Sequence, residues 1–186
     1  MTERSYHHGD LRRALLDAAA DVIAESGPAA LSLRDLARRA GVSHAAPHHH
    51  FGDKAGLLTA LAAEGYDLLA AALTDARTSF LEQGIAYVRF AVSHRAHFEV
   101  MFRPDLYHAD NPELAAARDR SSAALYTGVA TLGAGNAEQA ALAAWSIAHG
   151  FATLWLSGAI AHAPDDDPGE AAREVLSHLA TRPDGR

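Results

Sequence analysis

The sequence has no cysteine, which excludes a disulfide scaffold, a thiol nucleophile and cysteine-ligated zinc. Lysine occurs once, at Lys54, and the remaining basic side chains are arginine. Proline appears only 7 times in 186 residues, and stretches in which Val, Ile or Thr alternate with polar residues are missing, so nothing argues for a sheet. No uncharged apolar run reaches the roughly 18 residues of a membrane span. The opening residues Met1–Asp10 are polar and unlike a secretory leader. These absences predict a soluble, cytoplasmic protein with no membrane partner. What is present in excess is alanine, at 43 positions within a composition that is 49% apolar. That combination predicts an all-α fold with a real core, of a length that suits one or two domains.

Charge separates two regions. The chain carries 16 Lys/Arg against 23 Asp/Glu, net −7, which taken whole disfavours a nucleic-acid partner. Residues 1–54 hold seven basic and seven acidic groups plus six of the twelve histidines, so their charge rises if imidazoles protonate. The acidic excess belongs entirely to residues 55–186. The expected domains are therefore 1–54 and 55–186.

Apolar periodicity sets the elements. Leu11, Leu15, Ala18, Ala19, Val22 and Ile23 predict a first helix from a cap at Asp10 to Gly27-Pro28. Ser32 caps a second, with Leu33, Leu36, Ala37 and Ala40 on one face and Arg34, Arg38 and Arg39 elsewhere. Gly41-Val42-Ser43 is a turn, with Gly41 left-handed and Ser43 capping a short helix from His44 to His50. Pro47, about four residues into that helix, is expected to leave it tight or irregular. Gly52-Asp53 is a break and a new cap, and a long helix runs from Lys54 to about Thr78. Further helices are expected near 80–94, 96–103, 112–132, 136–162 and 168–181.

Helix, glycine turn and short helix at residues 31–51 form the order of a helix-turn-helix, whose second helix can enter a major groove. The string Leu31-Ser32-Leu33-Arg34-Asp35-Leu36-Ala37-Arg38-Arg39-Ala40-Gly41-Val42-Ser43, followed by His50-Phe51-Gly52-Asp53-Lys54 and Leu57-Leu58, closely resembles the DNA-binding signature of the TetR family of transcriptional regulators. The resemblance implies a homodimer: an N-terminal three-helix helix-turn-helix domain binds operator DNA, and a C-terminal helical domain binds a small-molecule effector and dimerises. It makes Ser32, Arg34, Ser43, His44, Ala45, His48 and His49 candidate DNA contacts. Lys54 matches the family's lysine at the start of the fourth helix, where a cation and free backbone N–H groups would meet a phosphate. His48 stands where the family usually has tyrosine; an imidazole can donate the same hydrogen bond, more strongly if protonated. Ala45 and Ala46 read bases poorly, so phosphate contacts and DNA shape are expected to carry much of the affinity. An arm of Arg4, Tyr6, His7 and His8 is a candidate backbone contact, and His50 is expected to pack beneath the recognition helix.

In the second region Trp145-Ser146-Ile147-Ala148-His149-Gly150 and Phe98-Glu99-Val100-Met101-Phe102 resemble one C-terminal domain type of the same family, carrying a Trp-His-Gly signature. Phe90, His94, Phe98, Phe102, Tyr126, Trp145 and His149 are the candidate effector pocket. Leu154, Leu156 and Ile160, with Ala172, Val175, Leu176 and Leu179, resemble the family's dimer face, beside small residues including Ser157, Gly158 and Ala161. Metal ligation by His44 and His48, or by His94, His97 and His149, lacks accompanying carboxylates. A hydrolase would need a nucleophile elbow that the sequence lacks. No catalytic residue, metal or cofactor is expected. The alternative to an operator-specific repressor is a small-molecule-binding helical protein with weak or non-specific DNA binding.

Overall fold

The computed structural model describes residues 8–130, 136–163 and 165–180; the candidate arm residues Arg4, Tyr6 and His7 lie outside them. Every regular element among these residues is helical: α1 (His8–Ser26), α2 (Leu33–Arg39), α3 (Ala46–Phe51), α4 (Lys54–Asp75), α5 (Phe80–Ser93), α6 (Arg95–Met101), α7 (Pro112–Ala130), α8 (Ala137–Leu156) and α9 (Pro168–Ala180). Two short 3-10 turns, Pro28–Ala30 and Pro104–Leu106, were not anticipated. Each opens on a proline, whose fixed φ suits a first helical position.

The chain forms two compact units, one comprising residues to Gly65 together with Ala96–Ala115, the other Tyr66–Arg95 together with the residues from Ala116 onward. In the first, α1 packs on α2 and α3. Leu15, Leu16, Ala19, Val22 and Ile23 of α1 are buried, as are Leu31, Leu36, Ala37 and the α4 residues Leu57, Leu58, Leu61 and Ala62. Phe98, Val100, Met101, Tyr107 and Leu114 of the returning segment are buried too. α4 is the one described helix long and apolar enough to cross a bilayer. Five of its leucines, Leu57, Leu58, Leu61, Leu69 and Leu73, are instead buried in protein, and Glu64 within it pairs with Arg13. In the second unit α5 packs against α8 and α9 around Ile85, Tyr87, Val88, Phe90, Ala148, Phe151, Ala152, Trp155 and Ala172.

Four local expectations need correction. α1 begins at His8, so Asp10 lies inside it rather than capping it. α3 starts two residues later than expected: Ser43 is not its cap, because the 43–46 stretch is a turn closed by Ala46 N–H to Ser43 O at 3.0 Å. The N-cap is Ala45, with no side-chain hydrogen bond. Pro47 therefore falls in the first turn, where its missing N–H has no helical partner to lose, and it is buried rather than disruptive. α8 ends at Leu156, six residues short of the expected end, because Gly158 takes φ 72°. Its N–H bonds Trp155 O and the Ala159 N–H bonds Leu154 O, each at 3.0 Å, closing a left-handed cap. Ser157, Gly158 and Ala161 are thus outside the helix.

Candidate functional sites

The helix-turn-helix is assembled from caps. Ser32 Oγ accepts the Asp35 N–H at the start of α2. At its end Gly41 has φ 67°, with Val42 N–H on Ala37 O and Gly41 N–H on Arg38 O at 3.0 and 3.3 Å. This paired closure redirects the chain in two residues, as the turn requires. Leu36, Ala37 and Pro47 face inward, which leaves Arg34, Ser43, His44, Ala45, His48 and His49 exposed together. Ser32 is half-buried in its capping role. His50 is also half-buried, its ring edge-on to His49 and tilted against Phe51.

Cations in this unit divide by whether a carboxylate holds them. Arg13 pairs with Asp17 and Glu64, Arg38 with Asp35, and Arg39 with Glu25. Arg34, Lys54 and Arg12 have no such partner among the described residues. The Arg12 guanidinium lies over Phe51, 5.4 Å from the ring centroid; sequence reasoning missed this exposed cation beside α3, although its helical register could have indicated the face. Lys54 Nζ donates to Ala29 O at 3.3 Å. Asp53 caps the helix, its Oδ1 accepting the Gly56 N–H at 2.7 Å, and this bond, with His108 adding to it, holds the carboxyl below its usual range. His48 Nδ1 lies 2.8 Å from Gly52 O.

The effector candidates fall into both units. Phe98 and Phe102 belong to the first, T-shaped with centroids 5.3 Å apart. In the second, Phe90 is buried and stacks on His94 at 5.1 Å, while Tyr126 is 45% exposed. Trp145 and His149 are brought together by a residue absent from the candidate pocket. The buried Tyr87 hydroxyl accepts from Trp145 Nε1 at 3.1 Å and meets His149 Nδ1 at 2.9 Å. Indole N–H only donates, so the Tyr87 hydroxyl accepts there, and its bond to His149 Nδ1 runs in the direction that the tautomer of an uncharged ring sets. Burial raises the Tyr87 pKa and lowers that of His149, both favouring this uncharged arrangement. Among the described residues no three His, Asp or Glu side chains gather as a metal site.

A second feature of this unit is an open groove of about 760 Å³ between α8 and α9, lined by the apolar Phe151, Leu154, Trp155, Ile160 and Val175 and by the acidic Asp166, Glu170 and Glu174. His162 stacks flat on Trp155 there, 4.0 Å between centroids.

A helix-turn-helix carried by an all-helical chain defines the class. Residues 15–61 match the family model of bacterial regulatory proteins of the tetR family, and residues 80–179 match the tetracyclin repressor-like C-terminal domain. The HTH-type transcriptional regulator BetI of Rhizobium meliloti is 51% identical over 49 residues, 26% of this chain and 24% of that protein; the chain thus spans about a quarter of the length of the curated relatives it matches. A solved structure of a protein of unknown function from Rhodococcus sp. RHA1 is 37% identical with a TM-score of 0.77, covering 95% of this chain and 98% of that one. The TetR family transcriptional regulator PfmR from Thermus thermophilus is 25% identical with a TM-score of 0.67, over 92% and 99%. The chain belongs to the TetR family of transcriptional regulators.

Proposed function

We propose that the protein is a ligand-responsive dimeric repressor that binds a palindromic operator through α2 and α3. The observation that carries the reading is the exposed cluster of Arg34, Ser43, His44, Ala45, His48 and His49 over a helix pair whose opposite side is buried. Ser32, Arg34 and Lys54 would supply phosphate-facing groups around it. Residues 1–54 would read DNA, and residues 55–186 would sense the effector and dimerise. The role is binding rather than catalysis, and it places the protein in the bacterial cytoplasm with its DNA.

An effector would act on the second unit through Phe90, His94, Trp145 and His149, with Tyr87 joining them and Tyr126 at the periphery; Phe98 and Phe102 remain candidate contacts. A coupling of about 1–3 kcal/mol would alter operator affinity roughly 5–150-fold. The test is a gel shift of purified protein on the DNA upstream of its own gene. Binding that weakens steeply with salt is expected, and no binding at any salt refutes the reading.

One observation favours a second reading, a small-molecule-binding helical protein with weak or non-specific DNA binding. α3 has six residues, APHHHF, offering few groups for base edges. Selection from random duplexes separates the two: enrichment of a palindrome supports the repressor, and its absence supports the alternative.

A further inference from the structure

The α3–α4 turn is held from both sides by histidines far apart in sequence. On the α3 side, His48 Nδ1 lies 2.8 Å from Gly52 O. On the other, His108 Nε2 lies 3.2 Å from Asp53 Oδ1. Carbonyl and carboxylate oxygens only accept, so both rings donate.

His108 arrives on the segment that returns to this unit after α6. That segment is anchored at its base: Tyr107 donates from its hydroxyl to Met101 O at 2.9 Å, and the His108 N–H donates to Thr59 Oγ1 at 3.0 Å. Thr59 is buried, and its hydroxyl donates a hydrogen bond to Ala55 O at 2.7 Å. The backbone of residue 108 is therefore fixed against the first turns of α4, while its imidazole reaches the capping carboxylate one residue before Lys54. Asp53 already accepts the Gly56 N–H, so its position is shared between the helix it caps and the returning segment.

We infer that His108 is a positioning residue for DNA binding: its bond to Asp53 sets the Gly52–Asp53 turn, and through His48 the turn sets the pose of α3. The inference rests on the proposed DNA-binding function and names a route by which residues 96–115 adjust it. His108 touches no DNA in this scheme.

The test measures affinity of the full-length protein for a synthetic duplex selected against the wild type, with thermal melts for each variant. An exposed pair of this kind sustains about a two- to five-fold effect. His108→Leu is expected to weaken binding by that factor, with the dependence on salt unchanged because no phosphate contact is lost. His108→Gln, whose amide can donate to Asp53, restores wild-type affinity. Asp53→Ser keeps a competent cap but is too short for His108, so adding His108→Leu to it costs nothing further. Undiminished binding by His108→Leu, a full loss in the Asp53→Ser background, or a shallower salt dependence overturns the inference while leaving the function standing. Failure of the wild type to bind any duplex overturns both.

Discussion

His48 accepts a constraint that tyrosine at the same place would not. With the Gly52 carbonyl fixing a proton on Nδ1, a neutral ring presents the Nε2 lone pair outward, which cannot donate to a phosphate. Only imidazolium donates there. A tyrosine hydroxyl donates there without an added proton, so in matched gel shifts His48→Tyr is expected to bind duplexes more tightly than His48→Phe, both having lost the Gly52 bond. Equal affinity of the two variants would remove the contact. Lys54 gives a complementary prediction. Its amine rests on Ala29 O rather than on a carboxylate, so it is available to DNA without breaking an ion pair. Lys54→Ala is expected to weaken binding to all duplexes alike and to lower the log–log salt slope by about one. An unchanged slope would return Lys54 to an ordinary surface role.

Among elements, legibility followed the range of the interaction. Ser32, Gly41 and Asp53 announce caps and turns through neighbours within five residues, and the structure has them capping or turning as expected. Gly158 carried the same signal but sat between Trp155-Leu156 and Ile160, so apolar continuity masked a helix end. Pro47 was read against a helix start placed two residues early. What one-dimensional pattern could not supply were pairings across long loops: Asp53 with His108, and Tyr87 with Trp145 and His149. The last set links α5 to α8 and makes stability depend on pH. Burial lowers the His149 pKa, so the folded state binds fewer protons than the unfolded chain near its ordinary value of about 6.5. Its contribution is complete above about 6.5 and is lost as pH falls through the depressed folded value. His149→Gln, which can still hydrogen-bond Tyr87 and does not titrate, is expected to flatten this acid limb in melting curves. Gln83 ties another set of elements. Only 1% exposed, it donates from Nε2 to Leu73 O and Ala124 O at 3.0 and 3.1 Å. A Cβ at Gly128 would stand 1.5 Å from its Oε1. Gly128→Ala is therefore expected to cost about 1–3 kcal/mol, the range for overpacking, with part of the loss recovered by Gln83→Ala in a double-mutant denaturation series.

For the whole molecule, the question is what two copies must do that one cannot. A six-residue α3 that opens on Ala46 and Pro47, capped by Ala45, offers little base recognition, so the proposed repressor would draw its affinity from two half-sites about 34–36 Å apart on one face of the duplex. In that proposal the second unit would supply the side chains that hold the pair. Leu154 on α8 and Val175 on α9, both lining the α8–α9 groove, are 49% and 44% exposed. Leu176 from the same helix instead turns inward, against Gly84 of α5, and the side chain of Leu179 lies outside the described set. Leu154→Glu with Val175→Glu would place new charges on a face that water already reaches, so each protomer should keep its helical content. In a symmetric interface each substitution recurs on both partners, so four carboxylates would meet in what should be an apolar seam. The double variant is expected to sediment as a monomer. It should also lose preference for a two-half-site duplex over a single half-site, while its weak salt-sensitive binding to arbitrary DNA persists. A variant that remains dimeric would move the interface elsewhere on the chain. If instead it became monomeric yet kept full operator affinity, α3 would have to read its site alone, against the poverty of its side chains.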